Sequence, residues 1–137
     1  MSAEGLTLSQ VEVGTQLPEL PIEITPSLVV GGAIASRDFT PVHHDKEAAK
    51  AAGMPDIFMN ILTTNGLVSR YITDWAGADA MIRNVSIRLG SPNTPGDTMT
   101  LRGKVVEVSE DVATVEVAGA NSWGDHVTGT VRVALPR

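Results

Sequence analysis

The densest cluster of chemically capable side chains in this 137-residue chain is Arg37-Asp38-Phe39-Thr40-Pro41-Val42-His43-His44-Asp45. It holds two of the three histidines, His43 and His44; the third is His126. Asp38 precedes His43 by five residues, with Pro41 between them. A chain that folds back through a proline turn can bring that carboxylate and that imidazole to face one space. Two such groups can act on one water: one takes its proton while the other holds or donates a proton. An imidazole with an ordinary pKa of about 6.5 suits either task. The same residues also allow a plain turn, with Asp45 capping a helix and both histidines on its surface. A metal site is a weaker third reading, because adjacent His43 and His44 point apart in an extended chain and no spaced third ligand follows. Asp125-His126, after Trp123-Gly124, reads as turn chemistry, with His126 opening the last strand.

Other chemistries lack their residues. The chain has no cysteine, which removes disulfides, thiolate metal ligands and cysteine nucleophiles together. There is no glycine-rich phosphate loop, no G-x-S-x-G elbow and no dinucleotide fingerprint. Ten basic residues against sixteen acidic ones give a net charge of −6, which disfavours nucleic acid and anionic membrane surfaces. No apolar run approaches the roughly 18 to 20 residues that span a bilayer. The first basic residue is Arg37, after Glu4, Glu12 and Glu19, so the N-terminal segment does not read as a targeting peptide. The expectation is a soluble, cytoplasmic, single-domain protein.

The elements that must position Asp38 and His43 read as α plus antiparallel β. Residues 1–26 are expected to be an irregular lead-in with short extended pieces, broken by Pro18, Pro21 and Pro26 and packed on the domain, and 27–137 the folded domain. Leu28 to Ala35 is apolar and β-branched enough for a strand, with Gly31-Gly32 as a bulge or bend. Asp45 predicts an N-cap for a short helix from Lys46 to Ala52, ended by Gly53 and Pro55. Phe58 to Trp75 is the one long helical candidate, apolar on most sides and therefore enclosed. Met54 and Met59, near its start, read as core filling. Met81–Leu89, Thr98–Glu107, Ala113–Ala120 and His126–Leu135 alternate with a period of two, as half-buried antiparallel strands do. A curved meander wrapped around one helix is the economical packing, and its uncovered edge and flank predict dimerisation.

Asp38-Phe39-Thr40-Pro41-Val42-His43 resembles the hydratase motif of MaoC-like enoyl-CoA hydratases, over a stretch running from about residue 27 to the end. Arg37-Asp38-Phe39, Val42-His43-His44-Asp45, Asp56-Ile57-Phe58, Asn60-Ile61-Leu62-Thr63, Thr73-Asp74-Trp75-Ala76-Gly77 and Gly124-Asp125-His126-Val127-Thr128 narrow the likeness. Together they resemble the small MaoC subunits of actinobacterial hydratases acting on the steroid side chain in cholesterol degradation. The resemblance implies the hot-dog fold and the hydration of a trans-2-enoyl-CoA to a 3-hydroxyacyl-CoA. It implies Asp38 and His43 as the catalytic pair, their acid and base roles left open. The backbone N–H groups of Met59 and Asn60, at the start of the central helix, would meet the thioester oxygen. Arg70, Arg83, Arg88, Arg102 and Lys104 are candidates for the coenzyme A phosphates. No metal or redox cofactor is implied. A larger MaoC-like subunit, in a heterodimer or heterotetramer, is the implied partner.

Two departures stand out: Thr40 replaces the motif's usual Asn, and Met59-Asn60 replaces a His-Gly pair. The Asn60 side chain is therefore expected to narrow or redirect the acyl pocket. The competing functions are a hot-dog thioesterase, for which Asp56 is the candidate carboxylate, a non-catalytic subunit completing a partner's pocket, and a metal-binding domain.

Overall fold

The computed structural model describes residues 5–137; residues 1–4 of the lead-in, Glu4 included, lie outside the described residues. Its elements are β1 (Gln16–Glu23), α1 (Pro26–Ala35), a 3-10 turn over Pro41–His43, α2 (Lys46–Ala51), α3 (Ile61–Ala76), β2 (Met81–Leu89), β3 (Thr98–Ser109), β4 (Val112–Asn121) and β5 (Gly124–Ala134). The strands form one five-stranded antiparallel sheet in the order β1-β3-β4-β5-β2. The sheet packs on α3, whose Leu67, Val68, Tyr71, Ile72 and Ala76 are buried with strand residues such as Leu101, Val115 and Val131. Each fully buried Val, Leu or Ile of this kind stabilises the fold by roughly 1.5–3 kcal/mol. This is the α+β hot-dog arrangement expected above. Among the described residues no helix is long and apolar enough to cross a membrane.

Four expectations about the elements need correction. The irregular lead-in contains an eight-residue strand, β1, paired antiparallel with β3. Its prolines are tolerated because β1 lies at the sheet edge, and the register slips between Leu17 and Leu20, around Pro18. The Pro18 carbonyl, freed from the ladder, accepts the hydroxyl of buried Tyr71 at 2.8 Å. Burial, and then the charge of Glu19, push the Tyr71 phenol up to about 12.

Leu28 to Ala35 lies in a helix, not a strand. Thr25 caps it, its hydroxyl accepting the Leu28 N–H at 3.0 Å, and Pro26 occupies the first turn with φ preset for helix. The run is apolar at nearly every position, so periodicity cannot distinguish the two states. Gly31-Gly32 is accordingly no strand bulge; Gly32 sits where α1 meets α3, and a Cβ there would overlap the Thr63 side chain.

The long helix begins at Ile61 rather than Phe58, because Asn60 is its N-cap and accepts the Thr63 N–H at 3.0 Å. One face of it is open: Ile61 is 48% exposed and Leu62 52%. Finally, the strands are not a simple meander. β2 skips β3 and pairs with β5 along its length, becoming the second sheet edge.

Candidate active site

Asp38 is placed by the way α1 ends. Ser36 is the C-cap, Arg37 takes a left-handed φ of 56°, and the Arg37 and Asp38 N–H groups return to the Ile34 and Ala33 carbonyls at 3.0 and 2.8 Å. This is the paired bonding of a Schellman motif, with arginine where glycine is usual. Such strain in a non-glycine residue is retained where the surroundings enforce it. The chain then turns through Thr40 and Pro41 into the 3-10 turn that carries His43. Asp45 follows as the cap of α2, accepting the Glu47 and Ala48 N–H groups at 3.0 and 3.3 Å, as expected.

Asp38 and His43 meet. His43 Nε2 stands 3.2 Å from Asp38 Oδ2. His43 is buried, its ring edge-on to Phe58 with centroids 5.0 Å apart, and its Nδ1 lies 2.6 Å from the Phe58 carbonyl oxygen. A carbonyl only accepts, so Nδ1 carries the hydrogen and Nε2 is the basic nitrogen. Nε2 and a carboxylate oxygen are then two acceptors face to face. They are reconciled by a proton held between them or by hydrogens from a third group.

Asp38 Oδ1 accepts the Thr40 hydroxyl at 2.7 Å and the Thr40 N–H at 3.3 Å; Oδ2 accepts the Asn60 amide at 3.1 Å. The Thr40 hydroxyl, and next the Asn60 amide, hold the Asp38 carboxyl below the usual carboxylate range. The Thr40 N–H and the nearby His43 act in the same direction, while partial burial works against them. Thr40 thus bonds the carboxylate directly although it departs from the motif.

The Asn60 side chain does not project into open space. It is turned back onto Asp38 and Ser36. Met59 is corrected as a backbone donor: its N–H is already given to the Asn93 carbonyl at 3.0 Å. The N–H groups of Asn60, Ile61 and Leu62 have no protein acceptor among the described residues. They stand at the positive end of a sixteen-residue helix. Asn93, fully buried in the β2–β3 connection, also points its amide at the sulfurs of Met99 and Met59. Together with the carbonyl of Phe58 and the side chain of Ser36, it is a site element that residue types alone did not indicate.

A groove of about 320 Å³ runs between α1 and α3, lined by Gly32, Ala35, Ser36, Leu62, Thr63 and Gly66 among others. Of the exposed apolar residues Leu62 lines it, while Ile34 on α1, Phe39 just beyond α1 and Ile61 at the start of α3 are also exposed. The five cations are not gathered at this groove. Arg70 pairs with Asp74 at 3.3 Å and Arg102 with Glu19 at 2.8 Å, while Arg83 and Arg88 are exposed on β2. Arg102 and Lys104 share a separate open concavity of about 820 Å³, lined by residues of β1, β3, β4 and β5.

His44 is exposed, and Asp56 accepts the N–H of its own neighbour Ile57 at 2.8 Å. His126 is a buried structural residue, its Nδ1 donating to the Ser91 carbonyl at 2.7 Å and its Nε2 accepting the Thr64 hydroxyl at 2.8 Å. Burial lowers its pKa, against the Ser91 hydrogen bond. Among the described residues no three His, Asp or Glu side chains converge as metal ligands.

A five-stranded hot-dog sheet with an Asp–His pair beside the start of its central helix defines a class, and the MaoC-like domain family matches residues 9–125. The chain belongs to that family. It is 50% identical over 123 residues to the 3-oxo-4,17-pregnadiene-20-carboxyl-CoA hydratase beta subunit of Mycobacterium tuberculosis, covering 90% of this chain and 95% of that one. Its structure is similar to a chain of the ChsH1–ChsH2 complex of the same organism, with a TM-score of 0.89 and 49% identity over 90% of this chain and 98% of that one. The (R)-hydratase PhaJ1 of Pseudomonas aeruginosa shares the fold, at a TM-score of 0.88 and 20% identity over 97% and 87% of the two chains.

Proposed function

We propose that this chain is the catalytic small subunit of a hydratase that adds water to a trans-2-enoyl-CoA, the acyl group being a steroid side chain. The observation that carries this reading is the 3.2 Å approach of His43 Nε2 to Asp38 Oδ2, with Nδ1 committed to the Phe58 carbonyl. A water hydrogen-bonded to both groups is oriented by the carboxylate and gives a proton to Nε2 as its oxygen bonds the β-carbon. The double-bond electrons pass to the thioester oxygen, forming an enolate. The N–H groups of Asn60, Ile61 and Leu62 are the donors available to that oxygen. The imidazolium then returns its proton to the α-carbon and the thioester carbonyl reforms. Atoms and charge balance with no metal or redox cofactor. Asp38 is the poorer base of the pair, since every hydrogen bond it makes favours its anion.

The steroid acyl group and the partner rest on the likeness to the Mycobacterium tuberculosis beta subunit and to the ChsH1–ChsH2 complex. A larger MaoC-like subunit would cover the free edge of β2 and the apolar residues exposed on α1 and α3, and would complete a cavity for a ring system. Cytoplasmic metabolism of this substrate class accompanies the reading. The test is hydration of a panel of enoyl-CoAs, short-chain through steroid side chain, by this chain alone and co-expressed with the larger subunit. Turnover of the steroid thioester only with the partner, abolished by Asp38→Asn, is expected. Turnover of short chains by this chain alone would make it a general homodimeric hydratase. Full activity of the complex with Asp38→Asn would make this chain non-catalytic, and released thiol in place of a lost enoyl chromophore would make it a thioesterase.

A further inference from the structure

We propose that the Asn60 side chain is a positioning residue, tying the Asp38 carboxylate to the first turn of α3 so that the water-holding oxygen and the helix N–H groups keep a fixed separation. The inference rests on the reading of Asp38 as the group that orients water. Asn60 is 3% exposed and all four of its amide hydrogen-bonding positions are used. Its Oδ1 accepts the Thr63 N–H at 3.0 Å and the Thr63 hydroxyl at 2.6 Å; its Nδ2 donates to Ser36 Oγ at 2.9 Å and to Asp38 Oδ2 at 3.1 Å. The orientation is forced, because the Thr63 N–H can only donate and must face the amide oxygen. The NH₂ group therefore faces Asp38, and it bonds the same oxygen that faces His43.

Ser36 extends the link, its hydroxyl donating to the Gly32 carbonyl at 2.7 Å. One amide thus joins the end of α1, the start of α3 and the carboxylate. A glycine at this position would provide the backbone N–H alone. Both chemical demands of hydration, a held water at the β-carbon and a donor at the thioester oxygen, are set relative to each other by residue 60.

Asn60→Gly separates the two contributions, since glycine keeps the N–H and is a tolerable N-cap. In the assembly in which the wild type is active, with the enoyl-CoA it turns over, Asn60→Gly is expected to lower kcat by about 10- to 100-fold, the loss that misplacement of a catalytic group by about 1 Å produces. KM should stay within about threefold, and the acid limb of the rate profile should move to higher pH because Asp38 loses a donor. Asn60→Ser, a stronger cap with a hydroxyl too short to reach Asp38, should behave alike and covers the case in which the glycine variant fails to fold.

Asn60→Asp sets a second carboxylate against Asp38. Its activity should rise as pH falls through the raised pKa of that pair, when the protonated neighbour can again donate, opposite to the wild-type trend. Wild-type kcat and an unmoved acid limb in folded Asn60→Gly or Asn60→Ser would overturn the proposal. An Asp38→Asn variant that remains active would instead overturn the reading of the site, so the two failures are distinguishable.

Discussion

Gly31 and Gly32 are neighbours in α1, yet replacing each by alanine should move stability in opposite directions. In a helix interior alanine is favoured over glycine by roughly 0.5–1 kcal/mol. A Cβ at Gly31 meets nothing within 4 Å, so Gly31→Ala should realise that gain. A Cβ at Gly32 would overlap Thr63 Oγ1, with Thr63 Cγ2 at 2.8 Å and Thr63 Cβ at 3.0 Å. Thr63 cannot rotate away freely, because its hydroxyl is bonded to Asn60 Oδ1. Forcing a methyl into so closed a contact costs about 1–3 kcal/mol, which exceeds the propensity gain. Gly32→Ala should therefore lose about 0.5–2 kcal/mol net, and the two variants should differ by about 1–3 kcal/mol. Urea unfolding measures this as a midpoint difference of about 1 M, with m unchanged. Thr63→Ala removes two of the three contacting atoms, so the Gly32→Ala/Thr63→Ala pair should couple favourably, by about 0.5–1 kcal/mol or more. Equal stabilities for Gly31→Ala and Gly32→Ala, or strictly additive effects in the pair, would refute the claim that α1 and α3 meet at this glycine. Displacing α1 also strains the Ser36–Asn60–Asp38 connection, so Gly32→Ala should slow hydration whereas Gly31→Ala should not.

Further outcomes follow from the same geometry. Asp38→Asn and His43→Ala should each lower the hydration rate by on the order of 10² to 10⁴ with the fold retained, checked by steady-state kinetics and a melting curve. Arg37→Gly relieves a left-handed backbone that costs a non-glycine residue about 1–2 kcal/mol and loses about 0.4–1 kcal/mol to chain entropy, so a net gain near 0.5–1 kcal/mol is expected in denaturant unfolding. His126 has its pKa depressed in the fold by burial, so the unfolded chain binds the proton more readily. Stability should then fall as pH drops below about 6.5, the ordinary histidine value, and continue to fall toward the depressed one. His126→Asn, which retains a donor toward the Ser91 carbonyl, should be less stable overall but flatter across that interval in urea midpoints taken from pH 7.5 to 5.5.

Much of this molecule follows from local rules that need no partner in space. The period-two alternation located β2 to β5 within a few residues, since each strand has one packed and one wet face. Asp45 announced α2 through its side-chain cap, and the Asp38-to-His43 spacing across Pro41 allowed a carboxylate to face an imidazole, though it allowed a plain surface turn as well. What required the tertiary structure was every feature whose partner lies far along the chain. β1 exists because Leu17 to Glu23 pair with residues near 98–103, although its own prolines argue for irregularity. α1 has a local start signal in Thr25 and Pro26, but its unbroken apolar run has no period to read, and its packing on α3 joins Gly32 to Thr63. The loss of the Met59 N–H to Asn93 and the turn of the Asn60 amide onto Asp38 join segments 34 and 22 residues apart. Residue types and spacing name the groups that can do chemistry. Which of their hydrogen-bonding positions remain free is decided only when distant segments meet, because each donor or acceptor that finds a partner within the protein is no longer available to the substrate.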